Sequence, residues 1–291
     1  MSSLYKKIKQ HSVRNIIRKE EEKLDLVNRV FHAIDNDDYD LFTRALKKTK
    51  TSIDLSFENP YGWSPLMRAG CLKRKQMVYD LLARGCNPYH QSSDDGWNSI
   101  MCAVDVQDDV IMDELLKHDG DLDLKTEKGS TALSLAASRR NFNIVASLLK
   151  AGASVDEVSG RNHFRTAILV ASNKGRLSNV KEILKYKPDL NFSMGANGIT
   201  PLMAAVVKEN FEIVKLLLQQ DTVDINLKTE SGEDALQCAI DKLNSQIIVL
   251  LIASGAKLSN KSQVDEHFEE QGLKIYRLTW GRIPPVPMDS P

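Results

Sequence analysis

One alanine recurs along this chain at Ala69, Ala103, Ala136, Ala171, Ala205 and Ala239, at intervals of 34, 33, 35, 34 and 34 residues. A period of that length admits few folds. Each unit is a single supersecondary element too small to bury its own apolar face, so neighbouring units have to stack. A leucine-type pair follows every alanine: Leu81-Leu82, Leu115-Leu116, Leu148-Leu149, Ile183-Leu184, Leu216-Leu217 and Leu250-Leu251. Gly62, Gly96, Gly129, Gly198 and Gly232 open the units, with Phe164 at the one departure.

The residues inside a unit predict its shape. In Gly198-Ile199-Thr200-Pro201-Leu202-Met203-Ala204-Ala205 a turn glycine is followed by a Thr able to cap a helix and a Pro at the first helical position. After the polar link Lys208-Glu209-Asn210, the stretch 211–219 places Ile213, Val214, Leu216 and Leu217 on one helical stripe. Val223-Asp224-Ile225-Asn226 then leads out. Each unit therefore reads as two antiparallel helices and an extended finger.

These segments resemble the ankyrin repeat, whose pattern is Gly-x-Thr-Pro-Leu-His-x-Ala-Ala, a Val-Leu-Leu helix and Gly-Ala-Asp. Ser64-Pro65-Leu66-Met67-Arg68-Ala69, Thr131-Ala132-Leu133-Ser134-Leu135-Ala136-Ala137 and Thr200-Pro201-Leu202-Met203-Ala204-Ala205 match best, with helix ends Gly152-Ala153-Ser154 and Gly255-Ala256-Lys257. The family histidine is replaced by Met67, Met101, Ser134, Leu169, Met203 and Gln237, and Asn98 and Asp234 stand where Thr is usual. Both changes are expected to loosen a local hydrogen bond and to leave the architecture intact. The resemblance implies an all-α solenoid over residues 25–258, about seven units including a divergent first cap. Val27, Val30, Phe31 and Ile34, then Leu41, Phe42, Ala45 and Leu46, carry the cap's helical spacing, and Ile53-Asp54-Leu55 its finger.

Residues 1–24 form a basic arm, read as helical, in which Lys6, Lys7, Lys9, Arg14, Arg18 and Lys19 precede Glu20-Glu21-Glu22 and Leu4, Ile8, Ile16 and Ile17 offer an apolar stripe. It serves either as a nuclear-import or lipid-surface arm or, the preferred reading, as a solvated helix leading into the cap. In residues 259–291, a short helix over 263–271 and Ile275-Tyr276-Arg277-Leu278-Thr279-Trp280 are expected to cap the last repeat. Arg282-Ile283-Pro284-Pro285-Val286-Pro287 is a weaker candidate for an SH3-type contact.

Composition narrows the chemistry. With 39 basic against 39 acidic side chains, no blanket attraction to nucleic acid is expected. No apolar run reaches membrane-spanning length and no signal-peptide stretch opens the chain, so a cytoplasmic location is expected, with the nucleus left open. Cys71, Cys86, Cys102 and Cys238 include no CxxC pair and read as thiols of a reducing compartment. His11, His32, His90, His118, His163 and His267 show no metal-ligand spacing, and no phosphate-cradling loop is present. The chain is expected to be non-catalytic, without metal or cofactor.

Stacking aligns equivalent positions into columns. The column after the turn glycine reads Trp63, Trp97, Ser130, Arg165, Ile199 and Glu233, and Tyr61 and Tyr89 lie in the same fingers. Residues 94–123 hold ten acidic side chains against Lys117 alone, a net −9. Tyr61, Trp63, Tyr89, Asp94, Asp95, Trp97 and Arg165 are thus the candidate partner-binding residues, for a protein or peptide that is basic and carries an apolar anchor. The competing reading has the rings stiffen the fingers and part of the charge set register. Lys73-Arg74-Lys75 aligns with Gln107-Asp108-Asp109, which assigns Asp108 and Asp109 to register and Asp94 and Asp95 to the partner. The expected function is an adaptor or scaffold; the alternative is a stoichiometric inhibitor or regulator of an enzyme or transcription factor. The resemblance further implies that Asn226 is a candidate for asparaginyl hydroxylation.

Overall fold

The computed structural model describes residues 2–47, 55, 57–160, 165–193 and 198–257. The side chains of the basic arm up to residue 17, the finger residues Ile53 and Asp54, His163 with Phe164, and the capping segment and proline tail of 259–291 lie outside the described residues. The chain divides into two compact units, residues 1–128 and 129–291.

The first unit contains α1 (Ser2–Asp35), α2 (Tyr39–Lys47), α3 (Pro65–Cys71), α4 (Lys75–Ala83), α5 (Ser99–Val106) and α6 (Asp109–Leu115). The second contains α7 (Ala132–Ser138), α8 (Phe142–Lys150), α9 (Ala167–Asn173), α10 (Leu177–Leu184), α11 (Pro201–Val207), α12 (Phe211–Leu218), α13 (Ala235–Asp241) and α14 (Ser245–Ala253). Among the described residues the only strand-like pairing is an isolated bridge between Ser159 and Arg165. The fold is all-α. Helix α1 runs without a break through positions 24 and 25.

Packing explains the period. All six repeating alanines are 0% exposed, on first helices that pack against one another within each unit, as α3 on α5, α7 on α9, α9 on α11 and α11 on α13. Leu81, Leu115, Leu148, Ile183, Leu217 and Leu251 are equally closed off on the second helices. Burying each such side chain contributes about 2 kcal/mol.

The helix starts follow from their caps. Ser64, Thr131 and Thr200 accept from the backbone N–H three residues on, at 3.3, 3.1 and 3.2 Å. Asn98 and Asp234 make the same bond at 3.0 and 2.9 Å, so the expected loosening does not occur there. The Asn98 amide oxygen and the Asp234 carboxylate oxygen reach the N3 amide as well as a hydroxyl does. Ser134 closes a reciprocal capping box with Thr131, while Met67, Met101 and Met203 fill the family histidine's place with buried apolar volume.

The link between the two helices of a pair uses a left-handed residue at Asp37, Lys73, Gln107, Gly175, Glu209 and Leu243, with φ between +53° and +65°. The residue starting the second helix then reaches back to the previous repeat. Arg74 Nε donates to the Ile34 carbonyl at 3.2 Å in the first unit, and Arg176 Nε donates to that of Ser138 at 3.0 Å in the second. Arg74 also pairs with Asp37 at 3.0 Å. Lys75 meets Asp108 at 3.4 Å, and Asp108 in turn caps α6 through Ile111 N at 3.0 Å.

Candidate protein-interaction surface

The fingers of the first unit are tight hairpins built by side-chain oxygens. In one, the Asn59 amide oxygen accepts from both Tyr61 N and Trp63 N at 3.0 Å, and Asn59 N donates to the Trp63 carbonyl at 2.9 Å. In the next, Ser92 N donates to the Trp97 carbonyl at 2.6 Å, Ser92 Oγ accepts from Asp94 N at 3.2 Å and Asp95 Oδ1 accepts from Trp97 N at 3.0 Å. Gly62 and Gly96 both turn at φ +71°, a conformation that a Cβ disfavours. The two tryptophans consequently occupy equivalent, hydrogen-bonded positions on adjacent fingers.

The fingers are also tied to each other. Glu58 accepts from Ser93 N at 3.2 Å, from the Ser93 hydroxyl, and faces His90 Nε2 at 3.0 Å. Gln91 Nε2 spans the Gly96 and Lys125 carbonyls at 2.7 and 2.8 Å, and Glu127 N donates to the Asp95 carbonyl at 2.8 Å. No property of Glu58, His90 or Ser93 in sequence marks this link, since it joins residues 32 and 35 positions apart.

Against this frame the candidate residues separate. Tyr61 is 73% exposed, Asp94 is exposed, and Trp63, Trp97 and Asp95 are half-buried. Tyr89 is 8% exposed and donates its hydroxyl to the His118 carbonyl at 2.7 Å, so its ring is an internal wedge between fingers. Burial, followed by the charge of Asp119, raises the Tyr89 phenol above its ordinary range. Arg165 is exposed and lies in the second unit, pairing its backbone with Ser159 at 2.8 and 2.9 Å.

Asn226 belongs to a ladder along the fingers of the second unit. Asp156 Oδ1 accepts from Asp189 N at 2.9 Å, Asn191 Oδ1 from Asp224 N at 2.8 Å and Asn226 Oδ1 from Lys257 N at 2.7 Å. Asn191 and Asn226 also sit in acidic turns, their backbone N–H groups donating to Asp189 Oδ1 at 2.8 Å and Asp224 Oδ1 at 3.0 Å. The Asn226 side chain therefore pegs its finger to the Lys257 backbone after α14.

Among the described residues no group of three or more His, Cys, Asp or Glu side chains is placed to hold a metal ion. Nor is any helix there long and apolar enough to cross a membrane.

Paired short helices joined by capped hairpin fingers, with a closed alanine column between neighbours, define a helical repeat protein built for interaction. A family model described as ankyrin repeats (3 copies) matches residues 71–159 and 166–262, and the chain belongs to the ankyrin-repeat family. Its fold is similar to the crystal structure of the ankyrin repeat domain of Bcl-3, a member of the IkappaB protein family, with a TM-score of 0.68 at 21% identity. That likeness covers 77% of this chain and 97% of the other.

Among curated relatives, the human transient receptor potential cation channel subfamily A member 1 is 37% identical over 95 residues, 32% of this chain. The chicken nuclear factor NF-kappa-B p105 subunit is 27% identical over 157 residues, 53% of this chain. The matches span 8% and 16% of those two proteins. The I-Kappa-B like protein C2 of Microplitis demolitor bracovirus is 30% identical over 100 residues, 33% of this chain and 55% of that protein.

Proposed function

We propose that this protein is a non-catalytic adaptor that captures a basic protein segment on the fingers of its first unit. Ankyrin repeats are protein-interaction modules, and the observation that carries the finer reading is the pair Trp63 and Trp97. Both are half-buried, and both are held by a carbonyl bond and an Asx-type turn on consecutive fingers. The backbone is fixed in this way, and an aromatic side chain with only two rotatable bonds loses little entropy on binding. Exposed Tyr61 enlarges the apolar contact, and the carboxylates Asp94 and Asp95 add counter-charge for a Lys- or Arg-bearing segment with an apolar anchor. Tyr89 supports the patch from inside the fingers. Arg165, in the other unit, is assigned to a partner contact of that unit. The protein acts in the cytoplasm or nucleus, and residues 282–287 offer an SH3-type domain a second contact.

The test is capture of cellular partners by the full chain, compared with Trp63→Ala/Trp97→Ala. Helical content should stay unchanged by circular dichroism, while bound partner falls at least tenfold and wild-type binding weakens with salt. Undiminished capture by the double variant sinks the reading. A second reading, a stoichiometric inhibitor or regulator of one enzyme or transcription factor, is supported by the I-Kappa-B like relative and the Bcl-3 likeness. It requires one dominant co-purifying partner whose activity falls on binding.

A further inference from the structure

Four links join the helix pairs of the second unit, over 138–142, 173–177, 207–211 and 241–245. They hold six basic side chains against two acidic ones, Glu209 and Asp241, a net +4. The links of the first unit, 35–39, 71–75 and 106–109, carry three basic side chains against five acidic ones. Each link of the second unit contributes one exposed cation and, within three residues, one large apolar side chain: Arg140 with Phe142, Lys174 with Leu177, Lys208 with Phe211 and Lys242 with Leu243. Phe142 is 45% and Leu243 55% exposed, and the other two are half-buried.

The links stand in order, because α7, α9, α11 and α13 pack successively, as do α8, α10, α12 and α14. Hydrogen bonds hold neighbours together. Arg176 Nε donates to the Ser138 carbonyl at 3.0 Å, Asn210 Nδ2 to the Ser172 carbonyl at 3.4 Å and Asn244 Nδ2 to Glu209 Oε2 at 3.1 Å. Asp241 Oδ1 accepts from Gln237 Nε2 at 2.9 Å, so both link carboxylates are engaged by amides. Among the described residues no carboxylate is paired with Lys174, Lys208 or Lys242.

Helix dipoles account for part of this pattern, since Lys174, Lys208 and Lys242 are the C-caps of α9, α11 and α13. The position does not demand a cation, because Leu72 and Gln107 are the C-caps of α3 and α5. Nor does the dipole explain why Phe142 and Leu243 are left in water.

We propose that this edge of the second unit is a docking surface for an anionic lipid bilayer, which its cations attract and into whose headgroup layer its apolar side chains dip.

A bilayer suits the edge better than a protein segment does. The charge and the apolar surface lie at helix ends, four links in a row, and Phe142 and Leu243 are themselves exposed. A plane of anionic headgroups meets all four links at once, whereas the anchor residue of a protein partner needs a pocket to enter. Helices α9, α11 and α13 run from fingers to links, so docking by the links keeps the fingers of this unit off the bilayer. The surface is independent of the tryptophans of the first unit.

Co-sedimentation of the full chain with vesicles tests this. The protein should pellet with phosphatidylcholine vesicles containing about one-third phosphatidylserine and not with phosphatidylcholine alone, and the bound fraction should fall as salt rises. Lys174→Glu/Lys208→Glu alters two exposed side chains and should weaken binding by about tenfold or more, with helical content unchanged by circular dichroism. Phe142→Ser/Leu243→Ser should also weaken binding and leave its salt dependence in place. Three results would overturn the proposal. The wild-type chain could fail to pellet; either double variant could bind as wild type does, which would place the contact elsewhere, as on the basic arm; or charge reversal could release a captured acidic protein and leave vesicle binding untouched.

Discussion

The side-chain amide of Asn179 donates to the carbonyl oxygens of Ala137 at 3.0 Å, Arg139 at 2.9 Å and Ala136 at 3.2 Å, clamping the end of α7 from inside α10. Asn179 is 1% exposed, and the corresponding positions of other second helices hold buried Met77, Ile111, Ile144, Ile213 and Ile247. One repeat thus exchanges apolar volume for a polar bond to its neighbour.

Asn179→Ala should therefore destabilise the protein by about 2–3 kcal/mol, because it opens a cavity and leaves buried carbonyls without their donor. Asn179→Ile, which restores volume but not the donor, should cost less than the alanine variant. Urea unfolding followed by circular dichroism measures both; equal midpoints for Asn179→Ile and wild type would show that the amide contributes nothing.

Gly120 is required by contact. A Cβ there would lie 2.1 Å from Tyr89 Cδ2, so Gly120→Ala has to displace a ring already anchored by its hydroxyl. The expected cost is about 1–3 kcal/mol. In a double-mutant cycle with Tyr89→Leu, which removes the obstructing ring, the Gly120→Ala penalty should shrink by more than half.

Stability should fall at high pH. The Tyr89 phenol is raised above the ordinary value of 10.0 by burial and by Asp119, so the folded state retains its proton where the unfolded chain releases it. A raised pKa contributes stability that is complete below pH 10 and is lost as pH climbs through the folded value. Unfolding free energies between pH 8 and pH 11 should decline more steeply for wild type than for Tyr89→Phe.

Leu243 is held at φ +57° and is 55% exposed, so it bears left-handed strain without a packing role to justify it. Leu243→Gly should raise stability by about 0.5–1 kcal/mol. The reverse change at the equivalent position, Gly175→Ala, should lower it, since φ is +65° and a Cβ would lie 2.8 Å from Asn210 Oδ1. Thermal melts of the two variants should move in opposite directions.

The alanine column, the leucine pairs, the capped starts at Ser64, Thr131 and Thr200, and the all-α repeat fold are legible in the sequence alone. Each is a local pattern at 3.6-residue spacing, and the chain copies it often enough for one unit to be checked against another. Positions for Trp63 and Trp97 follow for the same reason, because a residue after a turn glycine has a fixed place in its finger. Tertiary structure decided what two such units do when stacked. Tyr89 fits inward against Gly120, Glu58 reaches His90 and Ser93, and Asn179 finds three carbonyls. Those contacts depend on side-chain direction and on atoms some 30 residues away, and a pattern that repeats within one unit carries no information about which atom of the next unit a given side chain will touch.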